Sequence, residues 1–258
     1  MEQNKSIYYG KSIVKKIVQT GVLLALAIVV NITCSSFMKF PLAPFLKFDF
    51  ALVVVTFSAL AIAPWSALVL ILLLAIIGPA YGSNGYDPIG LLGHFLLALT
   101  QLTFVLTFYF LYKFFNKTIY QNSIRKQIDF YIAELSLAAV ITTLFLTFVN
   151  VFITTPWYFK AFGALKNEPA TINSMIKNWD KFKGLFLNIN NYYLGTSTIF
   201  ALFNIINLSL NALIIFIFLA FNIKAKLWKS DLLEINKKKH FKNIFIQACY
   251  AKLNDNHK

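Results

Sequence analysis

From Phe50 to Gly78 the chain carries no charged residue and is interrupted only once, by Pro64. A backbone that apolar cannot leave its N–H and C=O groups to water, so it satisfies them internally, as helix. One straight helix over Phe50–Gly78 would be about 43 Å long, well beyond a hydrocarbon core of about 30 Å. Proline suits the first turn of a new helix and is poor inside one. The run therefore reads as two short helices that meet at Ala63-Pro64. The rest of the chain repeats the theme. Apolar helices are expected over about Ile13–Ser35, Pro88–Tyr112, Tyr131–Thr154 and Gly195–Phe221, with the run Phe50–Tyr86 supplying the second and third. Only 13% of residues are charged and 58% are hydrophobic, against about 25% charged in soluble domains. The expectation is an all-α, polytopic membrane protein with six transmembrane helices.

Charge gives the orientation. With six crossings, 17 of the 24 Lys and Arg fall on the side of the two termini and seven on the other. Five crossings would give a less polarised split. The positive-inside rule selects six crossings with both termini cytoplasmic. The formal net charge of +14 then reflects topology and attraction to anionic lipid, and nucleic-acid binding is not expected. Residues 1–225 form the membrane domain and 226–258 a basic cytoplasmic tail, in which spaced apolar residues suggest a juxtamembrane helix. The first apolar run is longer than a signal-peptide core, and no small-residue cleavage site follows it. Cys34 ends the first helix and Cys249 lies in the tail, so free thiols are expected.

Enzyme chemistry finds no support. There are no paired carboxylates at depth, no phosphate-binding glycine loop and no nucleophile–base arrangement. Asp49, Asp87, Asp129 and Glu134 are read as acids at helix N-termini, where unpaired N–H groups favour them. Asp49 thus reads as a cap and loop anchor in preference to a ligand. His94 reads as a hydrogen-bonded core histidine in preference to a proton or ligand site. The amides are harder to dismiss. Asn150, Asn204 and Asn207 stand in apolar helices near the extracellular end, and hydrocarbon satisfies neither the donors nor the acceptor of an amide. Asn204 and Asn207 share a helix face. Such amides either bond across helices as packing glue or pair with a polar ligand, for which Phe152, Trp157, Tyr158 and Phe203 offer stacking partners. In the long loop 159–193, Ile172, Met175, Ile176, Trp179, Phe182, Leu185 and Phe186 recur at helical spacing. That amphipathic helix is expected on the membrane surface, the alternative being a second lid over the site.

Four segments carry a resemblance to a known family. Phe45-Leu46-Lys47-Phe48-Asp49-Phe50, Gly90-Leu91-Leu92-Gly93-His94-Phe95, Asn150-Val151-Phe152-Ile153-Thr154-Thr155-Pro156-Trp157-Tyr158 and Leu202-Phe203-Asn204-Ile205-Ile206-Asn207 are similar in kind and order to motifs of the substrate-binding S components of energy-coupling factor (ECF) vitamin importers, most of all the riboflavin-specific branch. The resemblance implies a six-helix bundle with an outward-facing vitamin pocket capped by the loop after helix one. It implies that Asn150, Asn204 and Asn207 hold the flavin, with Tyr158, Phe152, Phe203, Asp49 and His94 around them. It also implies partners: a transmembrane coupling subunit, docked on small residues of helix one such as Gly21 and Ala25, and two cytoplasmic ATPases. No cofactor beyond the transported vitamin is implied. The chain departs from the branch at Asn207, where Lys is usual, at Leu202, where Pro is usual, and at His94, where Asn is usual. Another vitamin, a nucleobase or a folate-like substrate therefore stays open. A membrane assembly protein without a small-molecule site is the reading outside transport.

Overall fold

The computed structural model describes residues 2–82, 84–116 and 124–225. The tail 226–258, with Cys249 and its expected helix, lies outside the described residues. Helix α1 covers Glu2–Phe37 and is followed by a small antiparallel hairpin, β1 (Lys39–Phe40) and β2 (Ala43–Lys47). Then come α2 (Ala51–Ala61), α3 (Pro64–Tyr81), α4 (Pro88–Asn116) and α5 (Ile124–Val149). Among the described residues, five helices are long and apolar enough to cross a membrane, and α2 is a shorter apolar sixth. Their outward faces are apolar, as lipid requires: Val14, Ile17, Val22, Leu72, Leu144 and Phe221 are all exposed.

The break at Pro64 is where the sequence puts it. Pro64 opens α3 at its first position, where the missing N–H costs nothing. Ser66 ties the turn by donating to the carbonyls of Ser58 (2.9 Å) and Ala63 (2.6 Å). The two helices are unequal. With 11 residues in α2 and 18 in α3, their lengths are about 16 Å and about 27 Å. Starting from one turn, α2 therefore ends about halfway up α3. Nine of its residues are buried, enclosed by α1, α3, α4 and α9 (Tyr192–Ala225). The hairpin descends to meet it.

Helix five runs on past its expected end. Pro156 has no N–H to give the carbonyl of Phe152, and its ring would crowd that carbonyl. The chain inserts one extra residue instead. Residues Asn150–Thr154 form a π turn, in which the Thr155 N–H bonds the Asn150 carbonyl, and α6 (Thr155–Ala161) continues the span. The helix also begins earlier than expected. Glu134 is thus not an acid of the first turn: it stands ten residues inside α5 and is buried. The dipole argument does not apply at that distance.

The long loop is a cap. It folds into α7 (Ile172–Lys177), α8 (Trp179–Phe182) and a 3₁₀ turn (Lys183–Phe186). Met175, Trp179 and Phe186 are buried with Phe40 and Ala43 of the hairpin, Val151, and Tyr192, Ile199 and Phe200 of α9. The expected surface helix is therefore replaced by the lid reading. Its apolar face is buried against the hairpin, Val151 and the start of α9, which removes it from water. The Trp179 indole donates to the Ile189 carbonyl (2.8 Å) and stacks over Gly195, where a side chain would come within 2.8 Å of the ring. A second apolar cluster fills the opposite half of the bundle, from Ala27 and α2 to Phe104, Phe108, Leu135, Leu208 and Leu219.

Candidate functional site

Between the two apolar clusters lies a polar layer. Asn31, Asp49, Gln101, Asn150, Asn204, Asn207 and Asn211 are all buried, and they come from α1, the hairpin's exit, α4, the π turn and α9. Burying so many amides costs free energy unless each is paired. Most are. The Asp49 carboxylate accepts from Asn31 (3.0 Å), from the Ala51 N–H (3.0 Å) and from Gln101 (3.1 Å). The Asp49 N–H donates to the Asn207 side-chain oxygen (3.2 Å). The Asn211 amide donates to the Asp49 carbonyl (2.9 Å), to the Asn207 carbonyl (2.8 Å) and to the Asn207 side-chain oxygen (3.3 Å). The bond to the Ala51 N–H caps α2 and the remainder anchor the hairpin's exit, so the cap-and-anchor reading of Asp49 describes its contacts.

Asn150 is held within its own helix. Its Nδ2 donates to the Leu146 carbonyl (2.9 Å) and its Oδ1 accepts from Thr154 (2.6 Å). Asn204 differs: it is 4% exposed and its Nδ2 has no partner. Beside it, Phe203 packs against Phe40 and Phe48 with ring centroids 5.6 and 5.7 Å apart, so three aromatic rings gather beneath the hairpin.

The other expected residues scatter. Phe152 stacks on Phe148 and Tyr193 and is half-exposed on the outside of the bundle. Tyr158 stacks with Phe162, its hydroxyl close to Gly93. His94 fills the seam between α3 and α4. Its ring occupies the space that a side chain at Gly78 would need, crowds Gly82 and meets Tyr81 edge-on, and its buried Nδ1 has no hydrogen-bond partner, so the expected hydrogen-bonded histidine is held there by packing. Gly21 and Ala25 lie on the outer face of α1, with open space at Gly21.

Sequence reasoning missed Asn31, Gln101 and Asn211. Their signal was the one used for Asn150, an amide inside an apolar helix. Asn211 also stands one turn after Asn207. It missed a row of hydroxyls as well. Thr20, Thr33, Thr56, Thr100, Thr103 and Thr196 all donate to the carbonyl one turn back. The buried hydroxyls of Thr143, Thr147 and Thr155, on α5 and α6, have no partner. Thr143, Thr147 and Asn150 share one helix face.

The description "ECF transporter, substrate-specific component" belongs to a family model that matches residues 15–219. The chain belongs to that family. As an S component it is a multi-pass membrane protein and the substrate-specific part of a transporter that works with an energising module, and it is not an enzyme. The assembly-protein reading is thereby set aside. A solved structure titled "Structure and mechanism of the S component of a bacterial ECF transporter" shares the fold. It superposes with a TM-score of 0.53 at 21% identity, over 83% of this chain and 98% of the other. No curated protein matches this S component.

Proposed function

We propose that this S component captures riboflavin or a closely related flavin at the extracellular face and delivers it inward, with both termini in the cytoplasm. A transmembrane coupling subunit docks on the outer face of α1 around Gly21 and Ala25, and two cytoplasmic ATPases drive release. The observation that carries the reading is the buried, unpartnered Asn204 amide beside the Phe203, Phe48 and Phe40 rings. A planar heterocycle with ring carbonyls satisfies both features, by accepting from the amide and stacking on the rings. Asn150 and the free hydroxyls of Thr143 and Thr147 extend the polar wall toward a hydroxylated side chain.

A second reading, another vitamin, nucleobase or folate-like substrate, is favoured by the contacts of Asn207. Asn207 is engaged by Asp49 and Asn211, so it offers less to a flavin than its position in the motif implies. Fluorescence quenching of riboflavin by the purified chain tests both. One-to-one quenching, weakened by about 1–3 kcal/mol in Asn150→Ala and in Asn204→Ala, is expected where a buried polar group of the ligand loses its partner. Unchanged affinity in a folded double variant removes these residues from the site. Absence of quenching by a folded protein transfers the assignment to the second reading.

A further inference from the structure

The hairpin and the cap close the same end of the bundle, and they are attached in different ways. The hairpin is fastened by hydrogen bonds at both ends. At its entry the Met38 N–H bonds the Cys34 carbonyl (2.8 Å), and the Phe48 N–H bonds the Met38 carbonyl (2.9 Å). At its exit Asp49 is bonded to Asn31, Gln101, Asn207 and Asn211, which ties it to α1, α4 and α9. The cap has no such ties. Among the described residues, those of 164–190 hydrogen-bond only with one another and with Phe159, Lys160 and Gly163 at the cap's entrance. Its ion pairs, Lys177–Glu168 and Lys183–Asp180, are internal as well. What seats the cap is apolar: Met175, Trp179 and Phe186 against Phe40 and Ala43 of the hairpin, Val151 and the start of α9.

The backbone marks where such a unit turns. Left-handed conformation occurs at Gly163 (φ 72°) and Lys166 (φ 45°) on one side of the cap and at Leu187 (φ 59°) and Asn188 (φ 56°) on the other. Three of these residues carry side chains, for which that region is costly, and such strain gathers at switch segments. Across the exit stretch the Trp179 indole bonds the Ile189 carbonyl, a latch over the turn. The seat is also in the right place. Phe186 packs on Phe200, ring centroids 6.4 Å apart, one turn before Asn204 on α9. Val151, in the same cluster, directly follows Asn150. The cap thus bridges the two helices that carry these amides, and lifting it breaks no hydrogen bond of the hairpin. We propose that the cap is the gate of this S component: it swings as one piece about its left-handed ends to admit a molecule, while the hairpin stays fastened. The inference rests on the reading of the Asn150–Asn204 region as the capture site, and it holds for any substrate taken there.

The test is hydrogen exchange of the full chain in detergent, without ligand. It is read at hydrogen-bonded amides of the cap (Met175, Asn178, Lys181) and of the hairpin (Met38, Phe48). The cap amides are expected to exchange at least about tenfold faster than those of the hairpin, by an opening below the global one. Met175→Ala, or Ile172→Ala should the first fail to fold, speeds the cap by about tenfold or more and leaves the hairpin at its native rate. Access is read separately. With Cys34→Ala and Cys249→Ala removing the native thiols, Asn204→Cys reports on the layer through its reaction with a charged methanethiosulfonate reagent. Adding Met175→Ala should speed that reaction by about the same factor as cap exchange. A hairpin that exchanges as fast as the cap, or quickens with it in Met175→Ala, overturns the proposal. So does modification of Asn204→Cys at an unchanged rate. None of these readouts involves riboflavin, so failure of the flavin assignment leaves them standing.

Discussion

Asn204 and Asn207 lie one turn apart on α9 and have different occupations. Asn207 accepts from the Asp49 N–H and from the Asn211 amide, whereas the Asn204 Nδ2 is unpartnered. Asn207→Ala should therefore cost about 1–3 kcal/mol of stability, because a buried backbone N–H loses its acceptor. Thermal unfolding measures this. Asn204→Ala should leave the midpoint nearly unchanged and act on affinity, and the reverse pattern would exchange their roles. The sequence showed amides at depth. It could not show which would be absorbed into internal bonds, because for Asn207 that depends on Asp49, brought from the hairpin's exit. Glu134 was misread for a related reason. Its position relative to the helix start was inferred from hydropathy, and α5 begins seven residues earlier than the apolar run suggests.

At the level of elements, prolines were the most legible signals. Pro64 marks a helix start, and Ser66 secures it; Ser66→Ala should lower stability by about 1 kcal/mol through the loss of its hydroxyl bonds at the turn, read as a lower unfolding midpoint. The fifth helix was expected to end at about Thr154, just before Pro156, and instead passes through a π turn at Asn150–Thr154 into α6. The rule that Pro cannot accept the helical pattern was sound, but it does not say whether the chain stops or inserts a residue. His94 belongs to this scale too. Gly78→Ala adds a methyl where the imidazole lies and should cost about 1–3 kcal/mol by overpacking, outweighing the gain in helix propensity of about 1 kcal/mol. The double variant with His94→Ala should recover most of that loss. Additive losses in this cycle would argue against a packing role for His94.

For the molecule as a whole, an all-α membrane bundle of about five to six apolar helices was legible from hydropathy, and the vertical order of its layers was not. Two apolar clusters with a polar layer between them arise only when α1, α4, α5 and α9 are set side by side. The cap was seen as amphipathic, yet its partner, the hairpin, lies more than a hundred residues away in sequence. Trp179 links the cap to α9 through Gly195 and Ile189. Trp179→Ala should cost about 3–5 kcal/mol within that cluster. Protease cleavage within 159–193 should accelerate while the bundle stays folded, because the bundle keeps an apolar cluster of its own that the cap does not enter. Cleavage no faster than in the native chain would mean that the cap is held elsewhere.

The shortness of α2 has a consequence for size. The column above it is filled by the hairpin and not by helix, so the top of α2 acts as a floor whose height is counted in residues. One added turn of α2 would raise that floor by about 5.4 Å and shrink the room beneath the hairpin without altering a single polar side chain. The length of one buried helix is in that sense a ruler for what this bundle can accommodate.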